Sequence, residues 1–419
     1  MGKLLKTLFA AVCAASAVWA VDVSVSGFAT IGGAISDKPY NYQRFINNDG
    51  TLKRDSVFGL QTDITLNEAW SATIQGKAAP STKNDTSVDA TLTWAFLSYR
   101  PTDDWLIRVG KLRAPVYLNN ENMDVGVTYN MARLPLDMYS LTPIADGVGL
   151  GVTKSFFFDS GELLLDAYWG KTDTPWRVYM RDDLSAFGGK QKGADFETIE
   201  LESKGIVATF ETNMGGKFRA GLHKATTHNF SIPSEFALQP LYIGGAPTGM
   251  YSYQPKSGSV KDKNELTAFT LGADIRLDDG YRLIAEYGTR SMRDVNGGFS
   301  VQGGYLAALK TIGKWTPYIG VSTIISKKSG RELYLTIDSA QSNPVTAPIH
   351  RQIADTMQSY DQKTYMFGAS YNLTPTQKIK AELAHTAIGS MSSFIDNQTS
   401  ARVSNERFNV YSISYSVSF

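Results

Sequence analysis

The last nine residues alternate without a fault. Tyr411, Ile413, Tyr415, Val417 and Phe419 are apolar, and Ser412, Ser414, Ser416 and Ser418 lie between them. Side chains alternate across a β-strand, so this segment has one greasy face and one polar face. The same period recurs upstream. Phe58, Leu60, Ile64 and Leu66 alternate with Gly59, Asp63 and Thr65, and Trp70, Ala72 and Ile74 with Ser71 and Thr73. Leu163 to Trp169, Phe269 to Ile275, Tyr281 to Tyr287 and Tyr365 to Leu373 repeat it. Each segment is roughly ten residues, the length that carries a tilted strand across a bilayer. No apolar run of about twenty residues offers a spanning helix instead.

The connections alternate between short and long. Short turns fall near Asn67-Glu68, Pro101 to Asp104, Asp159 to Gly161, Asn213 to Gly216, Asp278 to Gly280, Ile312 to Lys314 and Thr374 to Gln377. Longer connections fall near 36–54, 80–87, 113–146, 171–198, 226–264, 290–298, 325–362 and 387–406. Together they join about sixteen strands, an even number that leaves both chain ends on the periplasmic side. Trp70, Trp105, Phe218, Tyr281 and Trp315 each follow a short turn closely, and Tyr99, Tyr371 and Phe419 precede a turn or the terminus. On a barrel these form one ring at a membrane interface. Between Val88 and Arg100 the apolar register switches, which predicts a bulge or an inward-facing aromatic.

The N-terminus reads as a secretory signal over residues 1–20: a basic start with Lys3 and Lys6, an apolar stretch from Thr7 to Ala17, and Val18-Trp19-Ala20 before the cut. The single cysteine, Cys13, lies inside it, and Val12 before it argues against a lipid anchor. The mature chain then has no disulfide and no thiolate metal site. Loss of Lys3 and Lys6 leaves 39 basic residues against 40 acidic ones, net −1, which gives no support for nucleic-acid binding. The expected fold class is all-β: one transmembrane antiparallel β-barrel of about sixteen strands over 21–419, starting at Val21 with no plug domain.

A sheet in hydrocarbon must close on itself. Sixteen strands leave an aqueous channel, whereas eight fill with side chains. Segment 113–146, the third long connection, is a candidate to narrow it; it carries Arg113, Glu121, Asp124, Arg133, Asp137 and Asp146, with Pro115 and Pro135. Gly147, Gly149 and Gly151 follow on the lumen face. Either the loop folds inward and lies near this glycine stripe, or the glycines bend a curved strand. Lys77, Arg108, Arg219, Arg276, Arg282 and Arg290 point inward in this register, as do Asp63, Asp166, Asp274, Glu286 and Glu382. Lys77, Arg108, Arg113, Glu121, Asp124, Arg133, Asp137, Arg219, Arg276, Arg282, Glu286 and Arg290 are therefore the candidate pore-lining and constriction residues. A basic wall facing an acidic loop sets up a transverse field; the alternative for each arginine is a salt bridge to a neighbour such as Asp166 or Glu286. Small outward residues of the first strand, Gly27, Ala29 and Gly33, point to a close protein contact, possible in a trimer.

The block Trp94-Ala95-Phe96-Leu97-Ser98-Tyr99-Arg100-Pro101, with Arg108-Val109-Gly110-Lys111-Leu112-Arg113-Ala114-Pro115, Val125-Gly126 and Arg133-Leu134-Pro135, resembles porin-like outer-membrane proteins of proteobacteria. The close match spans about strands four to six; the barrel pattern extends it over the mature chain. The resemblance is to the general diffusion porin type. It implies a water-filled channel in the outer membrane of a Gram-negative bacterium, passing ions and small hydrophilic solutes, with lipopolysaccharide around it. It also implies a homotrimer with an inward third loop, no cofactor and no enzyme activity. The tail resembles the signal read by the barrel assembly machinery, with Tyr415, Val417 and Phe419 as its readable positions. The acidic loop motif of the best-known enterobacterial porins is absent, so ion preference does not transfer.

The residues also bear on other functions. The histidines are His223, His228, His350 and His385, and no Gly-x-Ser-x-Gly, His-Glu-x-x-His or P-loop motif occurs. A substrate-selective channel for an anion such as phosphate, or for an oligosaccharide, remains the nearer alternative, with Trp176, Tyr179 and Tyr242 available in outer loops. The proline-bearing loop 226–264 would suit an adhesin.

Overall fold

A computed structural model describes residues 22–142, 146–293, 295, 298–340 and 343–419. The expected signal and Val21 lie outside the described residues. Sixteen strands form the wall. They are β1 (Asp22–Ser36), β2 (Val57–Thr65), β3 (Trp70–Pro80), β4 (Val88–Tyr99), β5 (Trp105–Arg113), β6 (Asp146–Phe158), β7 (Gly161–Met180) and β8 (Gly193–Thr212). Then come β9 (Lys217–His228), β10 (Asn264–Arg276), β11 (Tyr281–Met292), β12 (Val301–Lys310), β13 (Trp315–Ser326), β14 (Tyr360–Thr374), β15 (Gln377–Ser392) and β16 (Glu406–Ser418). Each pairs antiparallel with its chain neighbour, and β1 pairs with β16 to close the barrel. Among the described residues three α-helices lie in the connections rather than in the wall: α1 (Leu136–Tyr139), α2 (Lys328–Asp338) and α3 (Ala347–Thr356).

Burial is inverted relative to a soluble sheet. Tyr411, Ile413 and Phe419 are 51, 61 and 63% exposed, while Ser414 and Ser416 are 4 and 0% exposed. The buried hydroxyl of Ser416 bonds that of Thr30 at 2.9 Å. An apolar outside and a polar inside are what hydrocarbon selects. The aromatics beside the short turns form the expected ring: Trp70, Trp105, Phe218, Tyr281 and Trp315 are all exposed. Trp70 stacks on Tyr99 at 4.4 Å, and Lys310 sits 3.7 Å above the ring of Tyr281.

Two local features differ from plain alternation. In β4 the pairing steps from Gln75↔Trp94 to Gly76↔Leu92, so Thr93 is the extra residue of a bulge. The bulge explains the register switch: it turns Trp94 and Phe96 inward while keeping Leu97 on the outside. Strands β7 and β8 are also longer than the alternation suggested. They pair from Gly161↔Thr212 to Met180↔Gly193, so their connection is only 181–192, not 171–198. Beyond the membrane their outer portions are no longer bound to alternate: Ile199 packs with Phe230 and Phe299, against Trp176.

The small outward residues of β1 have occupants from this same chain. A Cβ on Gly27 would lie 2.5 Å from the Phe419 ring, and one on Gly33 would meet Leu52 at 3.2 Å. Gly27 also exchanges both backbone bonds with Phe419, at 2.7 and 3.0 Å. Gly27 therefore accommodates the barrel's own seam, and Gly33 lies beneath Leu52 of the connection that follows β1. Gly27→Leu should weaken closure by overpacking, on the order of 1–3 kcal/mol. The folded band on a detergent gel should then convert at lower temperature, and Phe419→Ala in the same chain should recover part of the loss. Unchanged heat resistance of Gly27→Leu would contradict this account of the seam.

Candidate functional site

The third long connection leaves β5 at Arg113 and rejoins the wall at Asp146. It contains a 3-10 turn, Gly126–Thr128, and the single turn α1, which starts after Pro135. Proline there has no N–H to leave unpaired and favours a helix start. One face of the segment is apolar. Tyr117, Met131, Met138 and Leu141 are each at most 1% exposed and pack with Ile284, Tyr305, Tyr318 and Met366 of β11 to β14. Burying such side chains gains roughly 1.5–3 kcal/mol each, which holds the loop to that wall.

Glycines on the wall make room for it. A Cβ on Gly272 of β10 would meet Leu118 at 2.7 Å, and one on Gly288 of β11 would meet Met138 at 3.2 Å; one on Gly303 of β12 would strike the Asp137 carbonyl. The stripe expected to play this part, Gly147, Gly149 and Gly151, is elsewhere. Gly147 and Gly151 border an open cavity, and Gly149 is crowded by the backbone of Trp169 and Gly170. The difference has a physical reason: the loop's apolar side chains need an apolar wall, which β10 to β14 supply.

Polar contacts fix the same face. Glu286 accepts from the Leu118 amide at 2.8 Å, the Tyr139 hydroxyl at 2.7 Å and the Tyr305 hydroxyl at 2.8 Å. The Ala132 amide donates to the Tyr318 hydroxyl at 3.0 Å, which itself donates to Glu382 at 2.7 Å. Lys380, 1% exposed, donates to the Gly126 carbonyl at 3.0 Å. Arg219 donates to the Tyr117 carbonyl. Arg133 pairs with Asp55 at 2.8 Å. Asp137 accepts from Ser322 and from Gln362, the latter at 2.8 Å.

On the opposite side one carboxylate reaches across. Asp124 meets Lys77 of β3 at 2.8 Å and Arg113 of β5 at 2.9 Å, and Arg113 also meets Asp146 at 2.6 Å. The loop is thus held on both sides of the lumen. Open space lies to either side of it. One cavity of about 340 Å³ is bordered by Trp94, Phe96, Arg108, Arg113 and Glu121. Another, of about 610 Å³ toward the long connections, is bordered by Arg54, Lys77, Asp124, Arg133 and Arg290.

Ten of the twelve candidate residues bear on the loop or these cavities; two do not. Arg276 directly precedes the Leu277 turn, so it is exposed at the short-turn rim beside Gly215. Arg282 is one residue past that turn and is held by Asp274 at 2.7 Å. Arg108 stacks over Phe96 at 5.5 Å, and its Nε has no hydrogen-bond partner among the described residues. Asp55, Tyr318, Gln362 and Lys380 were not singled out from the sequence. Lys380 was findable, since it alternates with Ile379 and Ala381; Asp55 lies in an irregular connection with no period to reveal it.

Electrostatics separate the two loop carboxylates. Burial pushes Asp124 up, but Lys77 and Arg113 outweigh it and hold the group below its ordinary value. Burial dominates at Asp137, only partly offset by Ser322 and Gln362, and its pKa is raised to about 6.

No family model matches the chain, and no curated protein does. Among solved structures it is similar to OmpT, an outer membrane protein of Vibrio cholerae, with a TM-score of 0.51 and 12% identity over 95% of this chain and 99% of that one. It is similar to OprB of Pseudomonas putida, with a TM-score of 0.52 and 11% identity over 95% and 94%. The outer membrane channel DcaP of Acinetobacter baumannii gives 0.50 and 12% over 95% and 97%. At these identities the likeness is one of fold, and that fold is the porin-type outer-membrane barrel.

Two outcomes follow from the clamp. Asp124→Asn leaves Lys77 and Arg113 short of a counter-charge, so hydrogen exchange over 120–128 should quicken by the equivalent of about 3 kcal/mol while the wall stays protected. Exchange at the wild-type rate would remove Asp124 from the clamp. For Asp137 the folded pKa lies above the unfolded one, so the native state binds the extra proton. Its contribution is present in acid and is lost as pH rises from about 4 through about 6. Corrected for intrinsic rates, exchange over 136–141 should be slower at pH 5 than at pH 8, and Asp137→Asn should flatten that difference. A pH dependence that survives the substitution belongs to another group.

Proposed function

We propose that this protein is a porin-type channel of the Gram-negative outer membrane, passing ions and small hydrophilic solutes by diffusion through a narrowed, water-filled lumen. The observation that carries this reading is the arrangement of two cavities, about 340 and 610 Å³, on either side of a loop held between opposite walls. Sixteen strands enclose more space than their own side chains fill, and segment 114–142 takes up part of it.

In this reading Lys77, Arg113 and Asp124 sit at the narrowest part, Glu286, Arg219, Arg133 and Asp137 hold the loop, Arg108 and Glu121 face permeating solutes, and Arg290 is buried in the wall with its Nε on the Phe299 carbonyl. The ring of tryptophans and tyrosines marks the periplasmic interface, residues 1–20 route the chain for export, and Tyr415, Val417 and Phe419 present the tail to the assembly machinery. A homotrimer is supported by the Vibrio cholerae protein, which is described in its trimer form. A non-enzymatic role is supported by the histidines' surroundings: His223 bonds Tyr168 at 2.9 Å and Thr270 at 3.0 Å, and His385 bonds Asn409 at 2.9 Å.

Single-channel recording of the purified full chain in a planar bilayer tests the reading. Discrete steps that grow in proportion to bulk potassium chloride are expected. Small steps blocked by one solute at micromolar levels would replace it with a substrate-selective channel. Correctly folded protein that passes no current would sink it.

A further inference from the structure

The alternation that turns apolar side chains toward lipid also decides what stands at the top of that face. On β9 the outward row passes from Leu222 to Lys224, on β10 from Leu271 to Thr267 and Glu265, and on β11 from Tyr287 to Ser291. Leu222, Leu271 and Tyr287 are exposed on the outside of the barrel. Lys224 pairs with Thr267, and Thr267 with Ser291, so the three stand side by side at the end of the wall nearest the long connections. Paired strands lie ~4.8 Å apart, which puts Lys224 within about 10 Å of Ser291. Lys327, directly past β13, donates to the Ser291 hydroxyl at 3.4 Å. Arg293, directly past β11, borders the same recess, whose volume is about 460 Å³.

The charge of this recess is one-sided. Lys224, Arg293 and Lys327 border it, and Glu265 is the one acid among its described lining residues. Glu265 is taken up by Lys224 at 3.0 Å. Arg293 and Lys327 are exposed, and neither forms an ion pair with a described residue. The cations over the mouth differ in this respect: Arg177 has Asp85 and Asp396, and Arg351 has Asp182. The first turn of α2 adds Ser329 and Gly330 to the rim, with no acid and no capping side chain to meet its amides. Directly below lies bare apolar wall, where Leu222, Leu271, Tyr287 and Leu306 are exposed. A ligand that satisfies both levels carries an anionic head and hydrocarbon tails. Free phosphate would use only the upper one.

We propose that this recess seats a phosphate of an outer-leaflet glycolipid of the lipid A kind, with its acyl chains laid on the apolar wall beneath. Arg293 supplies a two-point fork, and Lys327 and Lys224 supply point charges, the combination that suits a phosphate. The inference rests on the barrel's place in the outer membrane and not on its carrying current.

The test uses the folded full chain in detergent, with bound lipid counted by native mass spectrometry during titration. The probes are lipid A with both phosphates, the same lipid with its phosphates removed, and inorganic phosphate as competitor. Phosphorylated lipid A should bind, and the dephosphorylated form should bind at least ten-fold more weakly. Arg293→Gln/Lys327→Gln should weaken binding about ten-fold or more. Both positions are exposed and lie past strand ends, so the barrel closes without them. Glu265→Gln removes the one acid and should tighten binding, by about three-fold. Lys314→Gln, in a short turn at the opposite rim, should bind as wild type does. Equal binding of the two lipids, or wild-type affinity in the folded double variant, overturns the proposal. So does inorganic phosphate that displaces lipid A at equal concentration, which would make this a site for the free ion.

Discussion

Hydrocarbon offers no partner to a backbone amide, and every other feature of this protein follows from that constraint. Each strand must find its bonds in two neighbours, so the sheet has to end where it began. Here β1 meets β16 from Phe28↔Ser418 to Ser36↔Val410, and Phe419 adds the last pair of bonds to Gly27. Closure in turn fixes which side chains see lipid and which see the lumen. It also sets the width of the enclosed space, and so creates the need for a segment to occupy it.

The loop that occupies the lumen combines two kinds of interaction with different consequences. Toward β10 to β14 it is packed: Leu118, Met138 and Leu141 lie over glycines or in an apolar cluster, and that contact is insensitive to salt. Toward β3 and β5 it is held by charge, through Asp124 between Lys77 and Arg113. These pairs are largely shielded from solvent, so ionic strength screens them less than it screens exposed pairs. The packed side positions the loop, and the charged side sets how far it reaches across.

Much of the architecture was legible in the sequence because lipid enforces a strict period of two. The short turns, the aromatic rim and the strand number all follow from it. Where lipid stops dictating, the period fails. The outer halves of β7 and β8 stand clear of it, and the Thr93 bulge breaks it. The lumen was legible only in part for a related reason. Alternation says that Arg276 and Arg282 point inward, but it does not say how far along the barrel the loop lies; both fall too near the short-turn end. The choice between Gly147, Gly149 and Gly151 and the true contact, Gly272, Gly288 and Gly303, depends on pairing between residues more than a hundred positions apart. No local pattern encodes it. Arg54 and Asp55 lie in an irregular connection, where inward and outward have no sequence signature.

The third connection lies across the lumen against β10 to β12. Leu118 and Gly272 provide the most direct check, since a Cβ at 272 would lie 2.7 Å from the Leu118 side chain. The only cysteine in the sequence is Cys13, so an introduced pair faces little competition. In Leu118→Cys/Gly272→Cys, mild oxidation should form a disulfide in nearly all folded molecules, seen as complete protection of both thiols from a maleimide. Two thiols that stay free and reactive in the folded barrel would place the loop elsewhere and contradict the account.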